Sequence, residues 1–415
     1  MLLKKENRNL SLLVFGQIIS LFGSAIQRFA LSLYLLDVTG SASIFASILA
    51  LSMVPYIVMA PIAGVVADHA DRKKTMVVLD IISGLVITAY AVLLFAGKGG
   101  AGSVAVVMVL LAAISTIYQP VVNSSIPSIV KEENLVSANG IVQQVSSLSN
   151  FLGPILAGVL YGFWGIRGVI ILNALSFFFS AVMELFLVIP HVKKEKMHSP
   201  FGLFKSEMRE IYKYLRKDNP IIFRMIVTSG LYNLFMVPVF SVGAPYIIKV
   251  TLGISSELYG VAEGVIALGM IIGGAIISAK PTLVKMNRIY RVLYISCVSM
   301  AMMAVSLVIF RPNGAGKWGS YVMFTFFGMM IMLALGIANV ITMTYNHTAI
   351  PPHMLGKIMA FASAFATICI PLGQILFGWL LELFSDKVSL LVFVAAIFTT
   401  LVTLIVRFNV RGIES

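Results

Sequence analysis

Apolar residues run almost unbroken through this chain, with short polar interruptions at near-regular intervals. A run of about 20 apolar residues is what a helix needs to cross hydrocarbon. Twelve such runs are legible, at roughly 10–36, 42–66, 75–97, 103–126, 138–162, 168–190, 220–248, 257–279, 289–310, 318–345, 356–381 and 388–407. Most connections between them are short, which predicts antiparallel neighbours. One polar connection, His191 to Asn219, is long and falls in the middle. The pattern predicts an all-α integral membrane protein of twelve transmembrane helices. Residues 1–190 form one six-helix half, 191–219 a cytoplasmic linker, and 220–415 a second, pseudo-symmetric half.

Composition agrees with the pattern. Only 11% of the 415 residues are charged and 59% are hydrophobic, with a mean hydropathy of +0.98. Soluble domains carry about 25% charged residues. Lipid is therefore part of this chain's solvent. The net charge of +13 first suggests nucleic acid. Its distribution removes that reading. With the N-terminus in the cytoplasm, 23 Lys and Arg fall in inner segments and 6 in outer ones, leaving Arg28 inside a span. That bias predicts a multi-pass protein of the cell membrane with both termini cytoplasmic. Trp164, Trp318 and Trp379 fall at expected outer helix ends, where an aromatic belt sits. Lys4 and Lys5 before an apolar run faintly resemble a signal peptide. The run is long and lacks a small-x-small cleavage site, so it reads as a retained first span. Cys297 and Cys369 lie in apolar runs and read as packing residues.

The central linker has a pattern of its own. Phe204, Met208, Ile211 and Leu215 recur at helical spacing, with Lys205, Arg209, Lys213, Arg216 and Lys217 on the other faces. This predicts an amphipathic helix on the inner membrane surface. The halves also echo each other. Gly153-Pro154-Ile155-Leu156-Ala157-Gly158 in span 5 mirrors Gly373-Gln374-Ile375-Leu376-Phe377-Gly378 in span 11. Ser125-Ile126-Pro127 before span 5 mirrors Ala349-Ile350-Pro351 before span 11, and Gly64 with Asp68 mirrors Gly274 with Ser278. Repeats of this kind place a substrate site at their interface, near the bilayer midplane.

The densest charge lies between spans 2 and 3, in Gly64-Val65-Val66-Ala67-Asp68-His69-Ala70-Asp71-Arg72-Lys73-Lys74. This stretch resembles the loop 2–3 signature of the major facilitator superfamily, and the chain resembles that superfamily over essentially its whole length. Gly153-Pro154 with Gly158 resembles the shortened antiporter motif of its drug exporters. Three further stretches look like the branch that contains bacterial macrolide efflux proteins. They are Tyr118-Gln119-Pro120 through Ile126-Pro127, Asn134 through Gly140, and Tyr212-Lys213-Tyr214-Leu215 with Asn219-Pro220. Members of that branch are similar also to siderophore exporters and lysophospholipid transporters. The chain departs from the family pattern at His69, where a base is usual, and at Asp71, where glycine is usual. Span 4 carries no charged residue, where many proton-coupled relatives have an arginine. That departure bears on proton coupling, not on fold.

The resemblance implies a conformational latch made of Gly64, Asp68, Asp71, Arg72 and Lys73, which meets the start of span 11 near Leu355-Gly356-Lys357. Gly64 and Asp68 are four apart and share a helix face. Gly64 admits a neighbouring helix and Asp68 offers a carboxylate to its N-terminus. Asp80 is expected as a further partner of Arg72 or another base of the loop.

Ionisable groups inside spans are costly and mark function by default. Arg28 lies about 13 Å below the outer end of span 1 and Glu263 about 10 Å below the start of span 8, while Glu184 lies about 9 Å from the inner end of span 6. These three are the proton-coupling candidates, against a structural ion pair or a wet vestibule. Cargo contact is expected from Gln27, Tyr34, Tyr118, Gln119, Asn123, Gln143, Asn150, Tyr232, Asn233 and Asn339. The 22 Met and 27 Phe add adaptable apolar surface. For most Met and Phe, lipid or helix packing is the plainer role, and span Asn and Gln often only join helices.

Enzymatic readings find no support. The five histidines map to expected cytoplasmic segments, with no metal-ligand spacing, and no Walker loop is present. No cofactor or metal is expected. The sequence thus predicts a secondary transporter that exports hydrophobic or amphiphilic small molecules, macrolide-like drugs among them, against proton entry by alternating access. Its expected partners are the bilayer, a small-molecule cargo and protons, and nothing demands more than a monomer. The competing readings are a lysophospholipid or siderophore transporter of the same fold and a non-transporting membrane sensor on a transporter scaffold.

Overall fold

The computed structural model describes residues 8–189, 208–310 and 316–411. Phe204, Lys205 and most of the central linker lie outside these. The helices are α1 (Arg8–Thr39), α2 (Ala42–Val58), α3 (Ala60–His69), α4 (Arg72–Phe95), α5 (Ala101–Ile129), α6 (Leu135–Leu185), α7 (Pro220–Phe235), α8 (Ser256–Ala279), α9 (Tyr290–Ile309), α10 (Gly316–Ala349), α11 (Pro352–Leu383) and α12 (Val388–Val410). Among the described residues no strand is present.

Ten helical segments are long and apolar enough to cross a membrane, and α2 with α3 makes an eleventh as one bent span. The sequence predicts that span as continuous. It breaks by 46° because Pro61 sits at the first turn of α3 and Pro55 inside α2. Each proline removes an N–H and crowds the preceding turn. α6 is two spans in one. Its 51 residues reach about 77 Å, more than twice a hydrocarbon core of about 30 Å. Gly165, at φ 62°, turns the chain between them, a conformation that glycine adopts without a Cβ penalty. Among the described residues the crossings are therefore twelve. The seventh is extended by π-helical stretches, Val239–Gly243 and Tyr246–Thr251, each directly after a proline, Pro238 and Pro245. Proline has no N–H to continue the α ladder, so the bonding pattern shifts there.

The chain divides into two compact units: residues 1–40, 51–196 and 255–261, and residues 41–50, 197–254 and 262–415. In the first unit, Leu10, Leu13, Met76, Tyr118, Val121, Val122, Ala138 and Leu187 form an apolar core at the end that carries the α3–α4 turn. The second unit has one core around Ile289, Leu293, Ile337 and Val410 and another around Ile211, Leu215, Ile222, Ile350 and Ile358. Large side chains such as Phe15, Val92, Leu175, Val298 and Phe408 stay exposed, as a lipid-facing surface requires.

The second of those cores changes the linker's role. Residues 208–213 are helical and continue into Tyr214–Asp218. Ile211 and Leu215 are buried against α7 and α11 rather than turned to lipid. Glu210 also pairs with Lys357 at 3.0 Å. The apolar stripe is the same, but protein side chains cover it and give closer contact than lipid tails.

The glycine repeats pack alike within each unit. A Cβ on Gly153 would come within 2.6 Å of Ala25 in α1, and one on Gly158 within 2.7 Å of the Ser256 carbonyl and 3.0 Å of the Gly260 Cα in α8. In the second unit, Gly373 meets Leu234 of α7, and a Cβ on Gly378 would come within 2.9 Å of the Ala42 carbonyl at the start of α2. Each missing side chain lets two backbones close.

Candidate functional site

Between α3 and α4 the chain turns within two residues. Asp71 caps α4, its Oδ1 accepting from the Lys74 N–H at 3.1 Å. That satisfies one of the free donors at the helix start. Arg72 donates to Ser128 Oγ of α5 at 2.6 Å and points its Nε at the Ala67 carbonyl at 3.5 Å. The loop is thus fastened to α5 through Arg72. Lys73 is half-buried, and Asp68 and Gly64 are exposed on α3. A Cβ on Gly64 would meet nothing within 4 Å, so the close approach expected of that glycine is not made in this structure.

Asp80 does not join the loop. It is 2% exposed, with a Ser180 hydroxyl of α6 beside its carboxyl. The reason is helical geometry. Eight residues after Arg72, Asp80 lies about 12 Å along α4 and about 80° round it. Its place is in a buried polar chain. Gln17 Nε2 of α1 donates to the Tyr118 hydroxyl of α5 at 2.8 Å, and that hydroxyl donates to Glu184 Oε1 of α6 at 2.6 Å. Gln17, Tyr118 and Glu184 are all nearly or fully enclosed. Asp80 acts electrostatically on both Tyr118 and Glu184. Four helices therefore each contribute one member. The sequence pattern suggests different roles for Glu184 and Tyr118 and a third for Asp80, and none for Gln17 or Ser180. An amide in the first apolar run, one of two there with Gln27, was the available signal for Gln17.

The remaining expected residues fall into two sets. Gln27 is buried, and Tyr34 donates to the Gly99 carbonyl at 2.9 Å. Asn233 donates to the Ala366 carbonyl at 3.0 Å, and Tyr232 bonds to Thr403. Tyr118, Tyr232 and Asn233 thus join helices through hydrogen bonds, while Gln27 is buried with neither amide atom paired among the described residues. The exposed set is Arg28, Asn123, Gln143 and Asn150 in the first unit, with Asn339 in the second and Gln119 half-exposed. Arg28 Nη2 approaches Asn150 Oδ1 at 3.5 Å, which ties α1 to α6. Glu263 is half-buried on α8 of the second unit. Charged and amide groups inside spans are costly against hydrocarbon.

Twelve apolar helical crossings among the described residues define a polytopic membrane protein. The sequence comparisons give its family. The description "Major Facilitator Superfamily" matches residues 13–373, and the chain belongs to that superfamily. It is a multi-pass membrane protein and its family is one of transporters, not enzymes. It is 26% identical over 374 residues to Macrolide efflux protein A of Streptococcus pyogenes, covering 90% of this chain and 88% of the relative. It is 25% identical over 334 residues to the protein of the same description from Enterococcus faecalis, covering 80% of this chain and 99% of the relative. Among solved structures, it resembles a bacterial homologue of the iron transporter ferroportin in an inward-facing state, at a TM-score of 0.74 and 17% identity, over 97% of this chain and 98% of the other. The nucleoside transporter NupG gives a TM-score of 0.72 at 15% identity, over 98% of this chain and 99% of the other. At such identities these structures support the fold alone.

Proposed function

We propose that this chain is a secondary active transporter that exports hydrophobic or amphiphilic small molecules, macrolide-like drugs among them, by proton antiport with alternating access. The full-length likeness to macrolide efflux proteins carries this reading. The exposed polar face on α1, α5 and α6 supports it, because a cargo with both apolar and polar parts needs polar contacts at membrane depth. Methionine and phenylalanine surfaces supply the adaptable remainder. Gly64, Asp68, Asp71, Arg72 and Lys73 serve as a latch that closes and opens with the cycle. Both termini lie in the cytoplasm and the cell membrane is the site of action. Protons, cargo and lipid are its partners, and it works as a monomer.

The test is uptake of labelled erythromycin into proteoliposomes holding the purified full chain, with a pH gradient imposed in either direction. Accumulation driven by the gradient, and abolished by a protonophore, is the expected result. Erythromycin flux indifferent to the gradient would overturn proton antiport. Absence of flux for erythromycin and for a hydrophobic dye would overturn export of such cargo.

A further inference from the structure

The buried chain from Gln17 to Glu184 has more acceptors than donors. Tyr118 donates once, to Glu184 Oε1, and Gln17 donates once, to Tyr118. Glu184 Oε2, Asp80 Oδ2 and Gln17 Oε1 are buried and have no hydrogen-bond partner among the described residues. Neither carboxylate forms an ion pair with a described residue, and the titratable groups acting on one another across α1, α4, α5 and α6 are Asp80, Tyr118 and Glu184. Two enclosed negative charges without a cation would cost several kcal/mol each. One proton on either carboxyl removes a charge and supplies a donor that the enclosed cluster lacks.

The position suits a site that exchanges with water. Glu184 is the penultimate residue of α6, so the helix ends one residue beyond it. A clasp stands over that end. Asn9 Nδ2 of α1 donates to the Val188 carbonyl at 2.9 Å, and the Val188 N–H donates to Asn9 Oδ1 at 3.3 Å. Leu187, wholly buried beside it, completes the seal. This pair of bonds closes the end of α6 nearest Glu184.

We infer that Asp80, Tyr118 and Glu184, with Gln17 beside them, are the proton-carrying site of the transport cycle, one proton being held on one of the two carboxyls while the cluster is enclosed. This rests on the proton-driven reading above and gives it a location inside the first unit, apart from the exposed polar face. The proton enters as one carboxylate is protonated and leaves to water through the α1–α6 end. Asn9 and Val188 form its gate and Tyr118 fixes the orientation of Glu184.

Infrared spectroscopy of the purified full chain, without cargo, tests this. A carbonyl stretch from a protonated carboxyl is expected at neutral pH, shifted when H₂O is exchanged for D₂O. It should be absent from the double variant Asp80→Asn with Glu184→Gln. In Tyr118→Phe, which keeps the ring's packing, the band should move because Glu184 loses its hydrogen-bond donor. No such band in the wild type, or a band that persists in the double variant, would overturn the assignment. So would an unmoved band in Tyr118→Phe. Replacing choline chloride by sodium chloride should leave the band unchanged; its loss in sodium would make this a sodium site and overturn the proton assignment. Because no cargo is present, failure of erythromycin transport leaves this outcome unaffected, and the two ideas fail separately.

Discussion

At the scale of single residues, the clearest demands come from glycines and caps. Gly158 and Gly260 bring two backbones together, with a Cβ on Gly158 due within 3.0 Å of the Gly260 Cα. Gly158→Leu is expected to overpack this contact at a cost of about 1–3 kcal/mol. A lowered thermal midpoint of the detergent-solubilised chain, with Gly158→Ala between it and wild type, checks this; equal midpoints would refute it. Asp71 acts by capping α4, so Asp71→Ala should cost about 1 kcal/mol, with Asp71→Asn largely spared. Asp68 is exposed on α3. As part of the proposed latch, Asp68→Asn is expected to slow erythromycin transport severalfold while binding affinity stays near wild type. A normal transport rate would remove Asp68 from the latch.

At the scale of elements, the C-terminal part of the central linker behaves as part of a core. Leu215 is 1% exposed against α7 and α11. Leu215→Asp leaves an unpaired buried carboxylate and should destabilise the chain by several kcal/mol. The ion pair between Glu210 and Lys357 is half-exposed, so Glu210→Gln should cost about 1 kcal/mol or less. Thermal unfolding of the two variants side by side decides between them. Similar midpoints would mean that the segment is held by its charges, not its apolar face. The broken second span shows the same contrast between pattern and geometry. Its apolar run reads as one helix, yet Pro61 and Pro55 divide it into α2 and α3.

At the scale of the whole molecule, topology is the property to test. In a background with Cys297 and Cys369 replaced, a cysteine at Lys98 should react with a membrane-impermeant thiol reagent added to intact cells. One at Lys74 should react only after permeabilisation. The reverse pattern would invert the chain. Much of the architecture was legible in the residues. The twelve runs, the long central connection and the repeated glycine motifs each reflect a local rule, because a lipid-facing backbone leaves little besides a helix to form. Span lengths follow from bilayer thickness in the same way, and the loop signature pointed to the family. What the sequence could not settle was which polar side chains face inward. Gln27 and Tyr232 read like cavity groups and lie between helices, while Asp80 reads like a loop partner and is buried beside Ser180. Gln17, Tyr118 and Glu184 are separated by 101 and 66 positions, and only the packing of α1, α5 and α6 makes them one chain of hydrogen bonds. Hydropathy reports how deep a residue lies along its helix. The direction in which it points is set by neighbouring helices, and those were decided by tertiary structure alone.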